Sequence, residues 1–259
     1  MKKNILLLCA TLTSVSLMAF GFMNWTPKTG ECHPHSDETS KAESAQYSDF
    51  FYGIGPRFHP IIKSELKKYK SMYDFITEDE ASQVKKFDNV SVIIILNERQ
   101  TNIRAHGTTA ELTNEQQQLI QSSDYSTSFT VRGDYYGKDP YTGKMSDLHF
   151  GPHYTVVPNK QAQYMPGESV LIDYFTAGNK ENTLNLDEKK LRPAKLYFTI
   201  TKTGNIANIR LDNHSGYKKI DSTMENLLLQ LPGKWQPAEN DKGEKVDQEL
   251  VISFGLVGC

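Results

Sequence analysis

Cysteine is almost missing from this chain: 259 residues carry three, Cys9, Cys32 and Cys259. That scarcity excludes a disulfide-dense scaffold, and with no Cys-x-x-Cys pair it excludes the common zinc modules. Cys32-His33-Pro34-His35 offers no second pair of ligands at usual spacing, so no metal is expected. There is no Gly-x-Ser-x-Gly elbow, no His-Glu-x-x-His and no cysteine with a partner base, which leaves no recognisable nucleophile. Gly53-Ile54-Gly55-Pro56 reads as a turn, because Pro56 and Arg57 replace the spacing of a phosphate-binding glycine loop. A net charge of minus 2 provides no electrostatic footprint for nucleic acid. After residue 23 no apolar run is long enough to span a bilayer. No cofactor and no catalytic residue are expected.

What is present begins with Met1-Lys2-Lys3 and an uncharged run from Asn4 to Met23. Residues 1–25 therefore read as a signal peptide or an N-terminal membrane anchor, with membrane contact confined to that segment. Cleavage after Gly21 removes Cys9, and in an oxidising compartment Cys32 and Cys259 either pair or stay free. Residues 26–48 are polar and read as a flexible tether. The rest is long enough for two small domains.

The first, residues 49–158, reads as an α+β module. Ile62, Leu66, Tyr69, Tyr73 and Ile76 repeat at helical spacing after Pro60 and predict about four turns, with Lys63, Lys67, Lys68 and Lys70 on the wet side. Thr77 and Glu80 form a capping box for a short helix to about Lys86. Val90 to Leu96 predicts a central strand, Thr101 to His106 its return, and Thr113 to Gln116 the cap of a helix carrying Leu119 and Ile120. Strands follow at Ser126 to Asp134 and His153 to Val157, around a hairpin-like loop where Tyr135, Tyr136, Tyr141 and Tyr154 cluster. Exposed tyrosines suit protein or glycan contact; a loop packed on its own rings is the alternative. His149 and His153 are four apart, but Gly151-Pro152 forbids the helix that would bring them together.

The second, residues 159–259, opens with strands at Lys195 to Thr201 and Ile206 to Leu211 around Thr203-Gly204-Asn205. A helix follows from Ile220 to Leu231, with Ile220, Met224, Leu227, Leu228 and Leu231 on one stripe. Pro232 and Gly233 stop it, Trp235 closes the core beneath it, Pro237 pins the exit, and Gln248 to Phe254 forms the last strand. Asp221 at the helix start interacts with exposed amides and the dipole, a contribution on the order of 0.5 to 1 kcal/mol. This half is expected to fold from Asn159 without the first. The first half reads strand, strand, helix, strand, strand, close to the strand, strand, helix, strand of the second, and Tyr73-Asp74-Phe75-Ile76-Thr77 rhymes with Ile172-Asp173-Tyr174-Phe175-Thr176. Two diverged copies of one module explain this, as does chance likeness between two common units.

The strand, strand, helix, strand order is framed by specific residues: Tyr164-Met165-Pro166-Gly167 upstream, Gly204 in the first turn, and His214-Ser215-Gly216 then Ile220-Asp221 at the helix entry. Leu231-Pro232 then Trp235-Gln236-Pro237 mark its exit, and Gly243 precedes the last strand. Together they resemble the TonB C-terminal domain over about residues 160–256. The resemblance implies a periplasmic or envelope protein, not an enzyme, that binds a protein partner in a transport-related or envelope-organising role. An outer-membrane receptor is one such partner. It also implies a site: an extended peptide adds along the edge of the last strand, at Gln248, Leu250, Val251, Ile252 and Phe254. Two features depart from an energy transducer of that family. The leader has no histidine, and the tether is short and not proline-rich. Self-association as a homodimer through an exposed strand edge is a second reading. An envelope enzyme is a third, and it requires a convergent polar cluster.

Overall fold

The computed structural model describes residues 50–257. The leader, most of the tether, and the Cys32 and Cys259 pairing lie outside the described residues. Among these no helix is long and apolar enough to cross a membrane.

The first elements are β1 (Phe51–Gly55), β2 (His59–Ile62), α1 (Glu78–Gln83), β3 (Val84–Leu96), β4 (Arg99–Gly107), α2 (Asn114–Ser122), β5 (Ser128–Lys138), β6 (Met145–Phe150) and β7 (His153–Val157). They continue as β8 (Gln163–Tyr164), α3 (Glu168–Asn179), β9 (Ala194–Ile200), β10 (Ile206–Asn213) and α4 (Lys218–Leu229). The last are β11 (Trp235–Gln236), β12 (Ala238–Glu239), β13 (Lys245–Val246) and β14 (Gln248–Gly255). The fold class is α+β, as the alternation of periods predicts.

The first sheet runs β2-β7-β5-β3-β4, with β6 also on β5, and the second runs β1-β14-β9-β10. The same connection recurs in both: hairpin β3-β4, helix α2 and returning β5 beside β3, against hairpin β9-β10, helix α4 and returning β14 beside β9. Each sheet has its own core. Val90, Val92, Ile94, Phe129 and Val131 pack with Ile120 of α2, whereas Leu196, Phe198, Leu250 and Ile252 pack with Ile220, Met224 and Leu228 of α4. The opposite strand faces are covered too. Ile93, Ile95, Tyr197 and Val251 are buried yet belong to neither core.

Local rules account for the helices. Thr113 Oγ1 accepts from Gln116 N–H (3.2 Å), Gln116 Oε1 accepts from Thr113 N–H (2.7 Å), and Gln116 also donates to Val90 O (2.8 Å). Thr77 and Glu80 make the second capping box, although α1 stops at Gln83 and Lys86 already lies in β3 opposite Tyr136. Leu171 and Phe175 hold α3 in the core; the sequence reading passes over this helix, whose start after Pro166-Gly167 and apolar i, i+4 pair mark it.

The four-turn helix expected after Pro60 does not form. His59 to Ile62 instead pair in parallel with Tyr154 to Val157, and two 3-10 turns follow at Lys63–Lys68 and Met72–Phe75. The extended stretch between them is held by long-range bonds, Met72 N–H to Ala110 O (2.7 Å) and Leu112 N–H to Lys70 O (2.8 Å). Leu66, Met72 and Phe75 are buried, while Ile62 and Tyr73 of the expected stripe are exposed. Tertiary hydrogen bonding overrides a helical period here.

Two glycines of the C-terminal motif sit where no other residue fits. Gly216 has φ +88°, and a Cβ there would lie 2.1 Å from Lys190 O; Gly204 has φ +81° and would meet Trp235 O at 2.6 Å. Gly216→Ala is expected to cost at least about 1 to 3 kcal/mol in urea unfolding, from backbone strain alone. A neutral result would show that the turn at Lys190 yields freely.

Candidate functional site

The last strand is not an edge. β14 lies between β9 and β1, with Gln248 to Phe254 paired to Ile200 through Ala194 on one side. Val251 to Gly255 pair with Gly55 through Phe51 on the other. Leu250, Val251, Ile252 and Phe254 are therefore buried, as is Gln248. Beyond the end of β1, side-chain hydrogen bonds tie the strand to its neighbours. Glu249 N–H donates to Ser126 Oγ (2.9 Å), and Gln248 Oε1 accepts from Ala162 N–H (2.7 Å). This corrects the expected open edge, because a strand from the far end of the chain covers it, and three of its residues, Gly53-Ile54-Gly55, belong to the stretch expected to be a turn with Pro56. The boundary at residue 158 shifts accordingly. Phe50, Tyr52 and Ile54 pack on the C-terminal core, so this module draws one strand from outside 159–259.

β1 differs from the strand it covers. It has five residues, two of them glycine, and none fully buried, whereas six of the eight residues of β14 are buried. Glycine in a strand costs backbone entropy and contributes no side-chain packing. The Tyr52 ring enters the core, and its buried hydroxyl lies beside the Asn179 side chain without a hydrogen bond of good geometry. Each feature lowers the stability of β1 relative to the rest of its sheet.

The other motif residues build the frame around this strand. Gly167 begins α3 after Pro166. Tyr164 OH donates to Pro232 O (2.5 Å), fastening the exit of α4 to β8. Trp235 is nearly buried, its ring 5.4 Å from Tyr164 and 5.7 Å from Phe198, and Pro237 follows in the turn to β12. Asp221 is buried, accepting from Ser215 N–H (3.0 Å) and facing His214 Nδ1 (3.2 Å), so it fixes the helix entry through the preceding loop as well as through the dipole. Of the four clustered tyrosines, Tyr135 is buried and Tyr154 donates to Phe75 O (2.7 Å), while Tyr136 and Tyr141 are exposed.

A charged group that the sequence reading misses joins the modules beside β1. Asn97 and Glu98 form the tip of the β3-β4 hairpin, both with left-handed backbone (φ 48° and 62°). The Glu98 carboxylate accepts from Arg57 Nε (2.6 Å) and Nη2 (2.5 Å), from Lys195 Nζ (2.7 Å) and from Tyr197 OH. Burial pushes this carboxyl up, but the hydrogen bonds from Arg57, Lys195 and Tyr197 outweigh it and hold the group down at about 2. Burial and the adjacent carboxylate push the Tyr197 phenol up. The signal available in sequence was the two-residue Asn97-Glu98 connection between strands, where the second position normally takes glycine.

Other groups do not converge. The cleft of about 510 Å³ beside β14 is lined by both acids and bases, including Asp124, Lys202, Lys245, Asp247 and Glu249. The described residues contain no group of three or more side chains placed to hold a metal. Of the remaining sheet edges, β10 is interrupted by a register shift around Asn208, whose φ is 51°. Such a bulge hinders edge pairing with a second copy. Compared with protein-family models, curated proteins and solved structures, the chain finds no match among any of the three.

Proposed function

We propose that this chain is an exported cell-envelope protein whose TonB C-terminal-like module binds a partner protein. The partner contributes an extended segment that takes the place of β1 along β14. The observation that carries the reading is β1 itself: the module already accepts a short extended segment from outside its strand, strand, helix, strand unit, in antiparallel register from Phe51↔Gly255 to Gly55↔Val251. Strand addition needs backbone amides and carbonyls in register and no catalytic constellation. Exchange replaces one set of ladder bonds by another, so its net affinity is modest, set by side-chain fit at the Tyr52 and Ile54 positions. Placement in the envelope rests on the character of residues 1–25.

A covalent lock tests this. Gly55 and Val251 are paired, and a Cβ at Gly55 meets nothing within 4 Å, so Gly55→Cys with Val251→Cys can bridge β1 to β14. The probe is a labelled peptide of residues 50–55. Reduced protein is expected to bind it with a Kd on the order of 10 to 100 μM, as weak strand pairing dictates, and oxidised protein to lose at least tenfold. Equal binding by both forms would place the contact on another edge and favour self-association or a different mode.

A further inference from the structure

Besides its ladder to β14 and the packing of Tyr52 and Ile54, the segment that carries β1 is fastened by one ion pair. Arg57 follows Gly55 by two residues, and its guanidinium makes both of its carboxylate bonds to Glu98. From Phe58 onward the chain is anchored independently, by Phe58 N–H to Thr155 Oγ1 (3.0 Å) and by the pairing of β2 with β7. Between Tyr52 and Phe58 the only side-chain hydrogen bonds of the described residues are those of Arg57 to Glu98. Glu98 in turn is gripped from the same sheet two strands away, by Lys195 and Tyr197 of β9. Side-chain exposure is 23% for Arg57, 19% for Glu98 and 16% for Lys195, so water replaces these contacts poorly. Glu98 also adopts a backbone conformation that non-glycine residues avoid, a strain that persists only where surrounding structure imposes it.

We propose that Glu98 is a latch that keeps β1 on β14 through Arg57, and that its release lets residues 50–57 peel away as a flap while Phe58 and the rest of the fold stay in place. The purpose assigned to the flap rests on the strand-exchange reading above. The chemistry that opens it is competition for the donors. A carboxylate brought by the incoming segment replaces Glu98 on Lys195 and Tyr197. β1 presents glycine, Gly53 and Gly55, on the face of the sheet shared with those two side chains, because Gly53↔Ser253↔Lys195 and Gly55↔Val251↔Tyr197 lie in rows. The Gly53 position is shielded by the Phe51 ring, whereas Gly55 is open. The segment best suited to displace β1 therefore carries apolar residues at the Tyr52 and Ile54 positions and an acid at the Gly55 position.

Amide hydrogen exchange on the full chain tests the latch without any partner. Glu98→Gln is expected to accelerate exchange at Tyr52 to Gly55 on the order of tenfold or more while the amides shared by β9 and β14 keep their rates. Lys195→Met, which leaves the Arg57 to Glu98 pair intact, is expected to move the β1 amides far less. Unchanged β1 rates in Glu98→Gln, or acceleration spread evenly over the C-terminal sheet, would overturn the latch. If Glu98→Gln does not fold, Arg57→Gln is read in the same way. The second arm adds peptides of residues 50–55 bearing Gly55→Glu or Gly55→Gln to the wild-type chain. Faster β1 exchange with the acidic peptide supports the carboxylate trigger, and equal acceleration by both overturns it. No effect from either peptide sinks strand exchange and leaves the latch to stand or fall on the first arm.

Discussion

Trp235→Ala is expected to destabilise the protein by about 3 to 5 kcal/mol, the range for losing a large buried aromatic side chain. The ring is 8% exposed and stands against Tyr164 and Phe198, beneath a core that also holds Ile220, Met224 and Leu228. Its indole N–H has no hydrogen-bond partner among the described residues, so the substitution removes packing and breaks no polar contact. Trp235→Phe, which keeps most of the ring, is accordingly expected to cost well under half as much. Urea unfolding with an unchanged slope measures both. A loss below about 1 kcal/mol for alanine would mean that the core closes around the space, against the usual cavity cost.

Removing the charge at Glu98 is the second large effect. Glu98→Ala leaves Arg57 and Lys195 mostly covered and facing no carboxylate; with about a fifth of each side chain still wet, the loss is expected near 2 to 3 kcal/mol, below the 3 to 5 of a fully buried pair. The pH dependence has a definite sign. The carboxyl titrates at about 2 in the folded chain against an ordinary 4.5, so its contribution is complete above 4.5 and is lost as pH falls toward 2. The stability difference between wild type and Glu98→Gln should therefore be flat from pH 7 to about 5 and shrink through pH 4 and 3. A difference that stays constant to pH 3 would show that the carboxylate is not preferentially stabilised by its neighbours.

The parts of this fold legible in sequence are those whose cause is local. The α4 stripe, the Thr77 and Thr113 capping boxes, the apolar run of β3 and the turn at Gly204 each follow from a few neighbouring residues; α4 stands within two positions of its expected bounds, whereas β3 begins at Val84, six residues before the apolar run. The stretch from Pro60 to Ile76 misleads because its backbone partners, Tyr154 to Val157 and Ala110 to Leu112, are far away in sequence. The site was legible in half. Gln248 to Phe254 form a strand, but whether that strand is open depends on β1, five residues in which two glycines offset the strand preference of Phe51, Tyr52 and Ile54. Glu98 is invisible to periodicity for the same reason, since all three of its partners come from other elements.

The pairing of Phe51 with Gly255 joins positions about 200 residues apart. A chain that emerges N-terminus first presents β1 long before β14, its ladder partner among the described residues, and about 200 residues must be made between the two. The first sheet, from β2 to β7, can close while the C-terminal half is still being delivered, whereas the second must leave an aromatic segment, Phe50 to Tyr52, waiting in solvent. The final folding event is then a long-range zippering, slow for its contact order and exposed to capture by holdase chaperones at that one segment. A stall late in delivery leaves a species with an intact first module and a naked aromatic arm.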